Sequence, residues 1–153
     1  MTIKCRVFVK NKERIFMYRR KSLILKIYKK TKKSKDLSFV QTDFYNFSKD
    51  SDQIIRALRK LVSDNILIHI GKGIYAKAKF SNISNTYIPE GGIIESGKQA
   101  LKKLGIKIYP NSSQELYNAG RTTQIPTGRV IGVKNRVSRK ISFNGINLIY
   151  EKI

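Results

Sequence analysis

Cysteine occurs once in these 153 residues, at Cys5, and histidine once, at His69. A single cysteine closes no internal disulfide, and one cysteine with one histidine cannot supply the ligands of a Cys/His zinc site. Acidic side chains are scarce too, 10 Asp and Glu against 32 Lys and Arg. A metal-dependent nuclease needs clustered carboxylates to hold its cation. The second half of the chain has only Glu90, Glu95, Glu115 and Glu151, with no pair at a convincing spacing. No apolar run approaches the roughly 18 residues that a membrane span needs, and Met1 to Lys12 carries charges where a signal peptide has its apolar stretch. The expectation is a soluble, cytoplasmic protein without metal, cofactor or membrane partner.

What is present is positive charge on a chain able to fold. The net charge is +22, and 41% hydrophobic residues are too many for a disordered basic tail. The length suits about one to one and a half domains and buries roughly two thirds of the unfolded surface. The bias toward Ile, Lys and Asn also arises from AT-rich coding, so the distribution of charge says more than its total. Residues 1–39 carry +12, residues 40–79 carry +3 and residues 80–153 carry +7. Lys and Arg that neutralise phosphates release condensed counterions, so such a basic segment reads as a salt-sensitive nucleic-acid contact that does not itself read base sequence.

Residues 1–21 read as a basic N-terminal arm, in which Val7-Phe8-Val9 and Ile15-Phe16-Met17 suggest a small hairpin or an irregular arm. Met17 offers an alternative start, which would leave the preceding residues outside the fold. From Ser22, Leu23, Ile24, Ile27 and Tyr28 follow helical spacing, and Lys29 to Lys33 put positive charge at the helix C-terminus, where the dipole favours it. Val40 to Phe47 reads as a short second helix. Asp50 is a good N-cap for a third helix running to about Asp64, with Ile54, Leu58, Leu61 and Val62 as its buried stripe. Asn65 stops it. Ile66, Ile68 and Ile70 then alternate, as do Ile74, Ala76, Ala78 and Phe80 beyond Gly71-Lys72-Gly73, which predicts a hairpin with a basic tip.

Three helices and a two-stranded hairpin in that order predict a winged helix-turn-helix over residues 22–82. In that motif two helices brace a third whose polar face enters the major groove, while the hairpin reaches a neighbouring groove or phosphate. The candidate contacts to double-stranded DNA are Ser51, Gln53, Arg56, Arg59 and Lys60 on the third helix and Lys72 and Lys77 on the wing. His69 falls away from the isoleucine face and reads as a surface or phosphate contact.

The polar, turn-rich stretch Ser81 to Thr86 suggests a boundary near residue 83 and a C-terminal unit over residues 83–153. There Ile94, Gly97, Leu101 and Leu104 follow a helical stripe ended by Gly105, and Ile106 and Ile108 alternate in a short strand. Ser112 and Glu115 have capping-box spacing before a helix closed by Gly120. Val130 to Val133 predicts a strand, and Asn144-Gly145 a tight hairpin between Lys140–Phe143 and Ile146–Tyr150. The whole is therefore expected to be α+β, a winged helix followed by a small mixed α/β domain.

No catalytic residues emerge. The lone histidine sits on the wing, and Gly91-Gly92 and Gly71-Lys72-Gly73 lack the strand, glycine spacing and helix of a phosphate loop. A binding protein is the expectation. An RNA-binding or ribosome-associated basic module is the alternative, for which Tyr45, Tyr75 and Tyr87 would have to be exposed for stacking.

Asp43-Phe44, then Ile54 to Leu61, then Ile70-Gly71-Lys72-Gly73-Ile74-Tyr75 resemble the wing pattern of AbiEi-type antitoxins of bacterial type IV toxin-antitoxin systems. Ile108 to Asn111, Tyr117 to Gly120 and Thr122-Thr123-Gln124-Ile125-Pro126 resemble that family's second segment, although Asn111-Ser112 stands for its Ser-Gly and Arg121 for an aliphatic residue. The resemblance spans roughly residues 22–150. It implies a transcriptional autorepressor that binds repeats at its own promoter and counteracts a nucleotidyltransferase toxin without requiring a stable complex with it; a homodimer on DNA is a separate expectation.

Overall fold

The computed structural model describes residues 22–153, so the expectations for the basic arm over residues 1–21 lie outside the described residues. The described chain is α+β. Helix α1 spans Leu23–Lys33, and Ser22 caps it by accepting from the Leu25 amide. Its last turn carries Lys30, Lys32 and Lys33. The lysines are not all solvated: the Lys30 ammonium donates to the Asp43 carbonyl and lies 5.4 Å from the Phe44 ring.

The expected second helix is replaced by strand β1 (Ser38–Val40) and a single 3-10 turn (Gln41–Phe44). Val40 pairs with Ile74, and the Asp43 carboxylate accepts from the Val40 amide at 3.1 Å. Sheet pairing thus takes the residue that helical spacing assigns to a helix. Helix α2 (Ser51–Ser63) has Asp50 as its N-cap, accepting from the Asp52 and Gln53 amides. Asn65, at φ +58, ends it in the left-handed conformation that Asn tolerates.

Strand β2 (Leu67–Gly71) and the long strand β3 (Ile74–Ser81) form the hairpin, and β4 (Thr86–Pro89) pairs with the far end of β3. The order β1-β3-β2 is antiparallel throughout. The Ser81–Thr86 stretch is therefore the turn of a second hairpin within a continuing sheet. Helix α3 spans Gly92–Lys103 and α4 Ser112–Asn118. Asn111 rather than Ser112 caps α4, exchanging bonds with Gln114, while Ser112 is bound to the Glu151 carboxylate. Strand β5 (Val130–Val133) pairs in parallel with β8 (Ile149–Lys152). Between them β6 (Ser142–Phe143) and β7 (Ile146–Asn147) meet at Asn144-Gly145, both at positive φ as the turn requires.

Two apolar clusters lie on opposite faces of the β1-β3-β2 sheet. Phe39, Leu67 and Tyr75 meet Ile27, Phe44, Ile54, Leu58 and Leu61 from the helices. Val40, Ile70, Ile74 and Ala76 meet Ile93, Ala100, Leu101, Ile131, Val133, Ile141 and Leu148. Alternation along β3 sends odd and even residues to different cores, so the sheet is a wall shared by both halves. Helix α3 also holds β1 through side chains. The Gln99 amide oxygen accepts from the Leu37 and Ser38 amides at 2.7 and 2.8 Å, and Lys103 reaches Asp36 at 2.8 Å and Asp43 at 3.0 Å.

Close backbone approach explains Gly132 inside β5. It bridges to Tyr109, and a Cβ there would meet the carbonyl oxygens of Pro110 at 2.7 Å and Tyr109 at 2.8 Å. Backbone cannot yield as a side-chain tip can, so Gly132→Ala is expected to cost about 2 kcal/mol by overpacking. Urea unfolding would read this as a lowered midpoint, and an unchanged midpoint would mean that the two segments have room to separate.

Candidate nucleic-acid interface

Helix α2 buries Ile54, Ala57, Leu58 and Leu61 and exposes Ser51, Gln53, Arg56, Arg59 and Lys60. The outward side is where the helical period places it, because residues three and four apart share a face. Three features of α2 bear on that face. Asp52, exposed and four residues before Arg56, puts a negative charge on the same side. Lys60 lies 3.6 Å from the Asp64 carboxylate. Val62, expected in the core, is only half-buried and turns toward the hairpin with Ile55.

Between α2 and the hairpin runs a groove of about 500 Å³ lined by Ile55, Arg59, Val62, His69, Tyr75 and Lys72, with Gln41 and Gly73 at its end. Its walls are apolar and aromatic and its rim is cationic. The His69 and Tyr75 rings are 5.2 Å apart. Burial first, and then the Arg59 charge beside it, hold the His69 imidazole below its ordinary range. The cations in the lining of the groove are Arg59 and Lys72.

Lys72 is exposed at the hairpin tip. The tip is held on two sides, by the Gln41 amide donating to the Gly73 carbonyl at 3.1 Å and by Arg139 Nη1 donating to the Lys72 carbonyl at 2.6 Å. The neighbouring Lys140 is exposed as well. Arg139 and Lys140 were beyond sequence reasoning, since nearly seventy positions separate them from the tip.

Lys77 is a correction. It pairs with Leu67 at the end of the hairpin away from the tip, and its ammonium donates to the Ser34 carbonyl and lies 6.0 Å from the Phe39 ring. Alternation on β3 turns Lys77 to the helix side, where its stem covers Phe39 and its charge is already engaged. It is not a wing-tip contact.

The three tyrosines do not line up as a stacking platform. Tyr75 is buried, Tyr87 packs edge-on against Phe80 at 5.4 Å, and Tyr45 is exposed elsewhere. In the second half the Thr122–Pro126 segment and α4 border a cleft of about 300 Å³, with Ile125 79% exposed. Glu95 pairs with Lys98 at 3.2 Å, and the Ser112 hydroxyl and amide hold the Glu151 carboxyl below its usual range. Among the described residues no group of three or more His, Cys, Asp or Glu is placed to hold a metal ion, and no helix is long and apolar enough to cross a membrane.

A family model described as a family of unknown function, DUF6088, matches residues 24–152. No curated protein and no solved structure matches the chain.

Proposed function

We propose that this chain, which belongs to the DUF6088 family, is a double-stranded DNA-binding regulator whose α1, 3-10 turn, α2 and β2–β3 hairpin act as a winged helix-turn-helix. The observation that carries the reading is the convergence of Arg59 on α2 with Lys72 at the hairpin tip, in a groove without an acidic side chain in its lining, with Arg56 exposed on the same helix. A major groove about 12 Å wide admits a helix, and arginine reads guanine through paired donors. The order β1-β3-β2, with β1 between α1 and the 3-10 turn, supports the same reading. Ser51, Gln53 and Lys60 flank Arg56 as secondary contacts.

The roles of autorepressor and antitoxin rest on the resemblance to AbiEi-type antitoxins. They bring a cytoplasmic location, a homodimer on operator repeats and a nucleotidyltransferase toxin as functional partner. A neighbouring reading frame encoding such an enzyme would support them.

The test of DNA reading separates base from phosphate contacts. Arg56→Ala is expected to weaken operator binding by about 1–3 kcal/mol and to relax base preference. Lys72→Ala is expected to weaken operator and random duplex alike and to lower the salt slope by about 1. Equal losses on both duplexes for both variants would remove the assignment of roles. Structured RNA competing at fixed salt as well as the duplex would replace DNA by RNA as the ligand.

A further inference from the structure

The hairpin tip is the part of the proposed interface with the least packing of its own. Lys72 and Gly73 form a two-residue turn, Gly73 sits at φ +69, and the register shifts between His69 and Gly71. A ribbon end of this kind opens readily unless something outside it fixes its direction. Here the Gln41 amide holds the Gly73 carbonyl at 3.1 Å from one side, and one segment of the second half holds the Lys72 side of the tip. Arg139 Nη1 donates to the Lys72 carbonyl at 2.6 Å, Ile141 bridges antiparallel to Gly71, and the Lys140 carbonyl comes so near that a Cβ on Gly71 would stand 2.8 Å from it. The segment is itself anchored, because Ile141 is 1% exposed in the shared core and its carbonyl accepts from the Leu148 amide at 3.0 Å.

We propose that Arg139 is a positioning residue for nucleic-acid binding, which fixes the direction of the wing tip by holding the Lys72 carbonyl and so couples the second half to the placement of Lys72. The inference rests on the DNA-binding reading above. A guanidinium suits the task, since one N–H can hold the carbonyl while the plane and the other donors stay fixed. The charge is secondary here, because the Arg139 guanidinium donates to the main chain of the residue that carries the tip lysine.

Two measurements test this. Affinity for a duplex of the chain's own upstream DNA is measured for Arg139→Ala, Lys72→Ala and the double variant, after thermal melts have established that each is folded. Losing one charge-assisted hydrogen bond is expected to weaken binding about fivefold in Arg139→Ala. In the Lys72→Ala background the same change is expected to add almost nothing, because there is no tip lysine left to place. Additive losses would make Arg139 an independent phosphate contact and overturn the proposal, as would undiminished affinity of Arg139→Ala.

The second measurement needs no DNA. Amide hydrogen exchange of Gly71 to Gly73 in the free protein is expected to speed up severalfold in Arg139→Ala and to return toward the parent rate in Arg139→Lys, which retains a donor. Unchanged exchange would overturn the tether. If the parent chain fails to bind the duplex while exchange responds as expected, the DNA-binding reading has failed and the mechanical link has not.

Discussion

Residues 22–89 expressed alone are expected to give a collapsed chain without a cooperative unfolding transition. The cut leaves α1, α2 and the whole sheet in place, yet it strips the cover from one sheet face. Val40, Ile70 and Ile74, all 2% exposed or less in the full chain, would face water. Each such side chain forfeits about 1.5–3 kcal/mol on exposure, and the entire margin of a domain is about 5–15 kcal/mol. The cut also removes Gln99 and Lys103, which satisfy the Leu37 and Ser38 amides and the Asp36 and Asp43 carboxylates. Near-ultraviolet circular dichroism, dye binding and a thermal scan would read the result. A sharp sigmoidal melt with no dye binding would show instead that the first half stands alone and that a domain boundary does fall near residue 83.

Lys103→Met is expected to destabilise the full chain by about 2 kcal/mol, between the cost of breaking a buried pair and that of losing a surface one. The lysine side chain is 20% exposed, donates to the Ser38 carbonyl at 2.9 Å as well as to both aspartates, and lies 4.8 Å from the Phe39 ring. Methionine keeps the stem over the ring and removes the charge, so the loss reports the polar network. The sign of its pH dependence follows from Asp36. The Lys103 hydrogen bond holds that carboxyl below its ordinary range. A lowered folded pKa contributes stability that is complete above the unfolded value, about 3.9, and lost as pH falls through the folded one. The stability gap between parent and Lys103→Met should therefore be constant near neutrality and narrow below about pH 4. A gap that persists unchanged into strong acid would mean that packing, and not the ion pairs, makes the difference.

Lys30, Lys77 and Lys103 each end on a carbonyl or a carboxylate and cover an aromatic ring. Arg56, Arg59 and Lys72 are exposed instead, Arg59 and Lys72 in the lining of the groove and Arg56 on the outer side of α2. Net charge alone could not have sorted the two sets, because long basic side chains bury their stems and place their heads wherever an acceptor is in reach.

Local rules carried much of the fold. The caps Ser22 and Asp50, the stop at Asn65, the Gly105 terminus and the Asn144-Gly145 turn follow from a few neighbouring residues, and each appears where those residues place it. The outward face of α2 follows equally from its period. By contrast, β1 is three residues long and has no periodic signature of its own, and the parallel pairing of β5 with β8 joins strands separated by the β6–β7 hairpin. A polar stretch such as Ser81 to Thr86 has the same composition whether it joins two strands or two domains. Its role was decided by β4 adding to β3.

The amino-acid order by itself determined the ends of α1 and α2, the tight turns and which side of α2 is cationic, because capping, turn conformation and helical period act over four or five residues. Only the folded chain decided that the sheet serves two cores, that Lys77 turns inward and that Arg139 grips the hairpin tip. Those outcomes depend on which distant segments bury the same surface together, a choice made by the packing of the whole molecule and written in no single stretch of it.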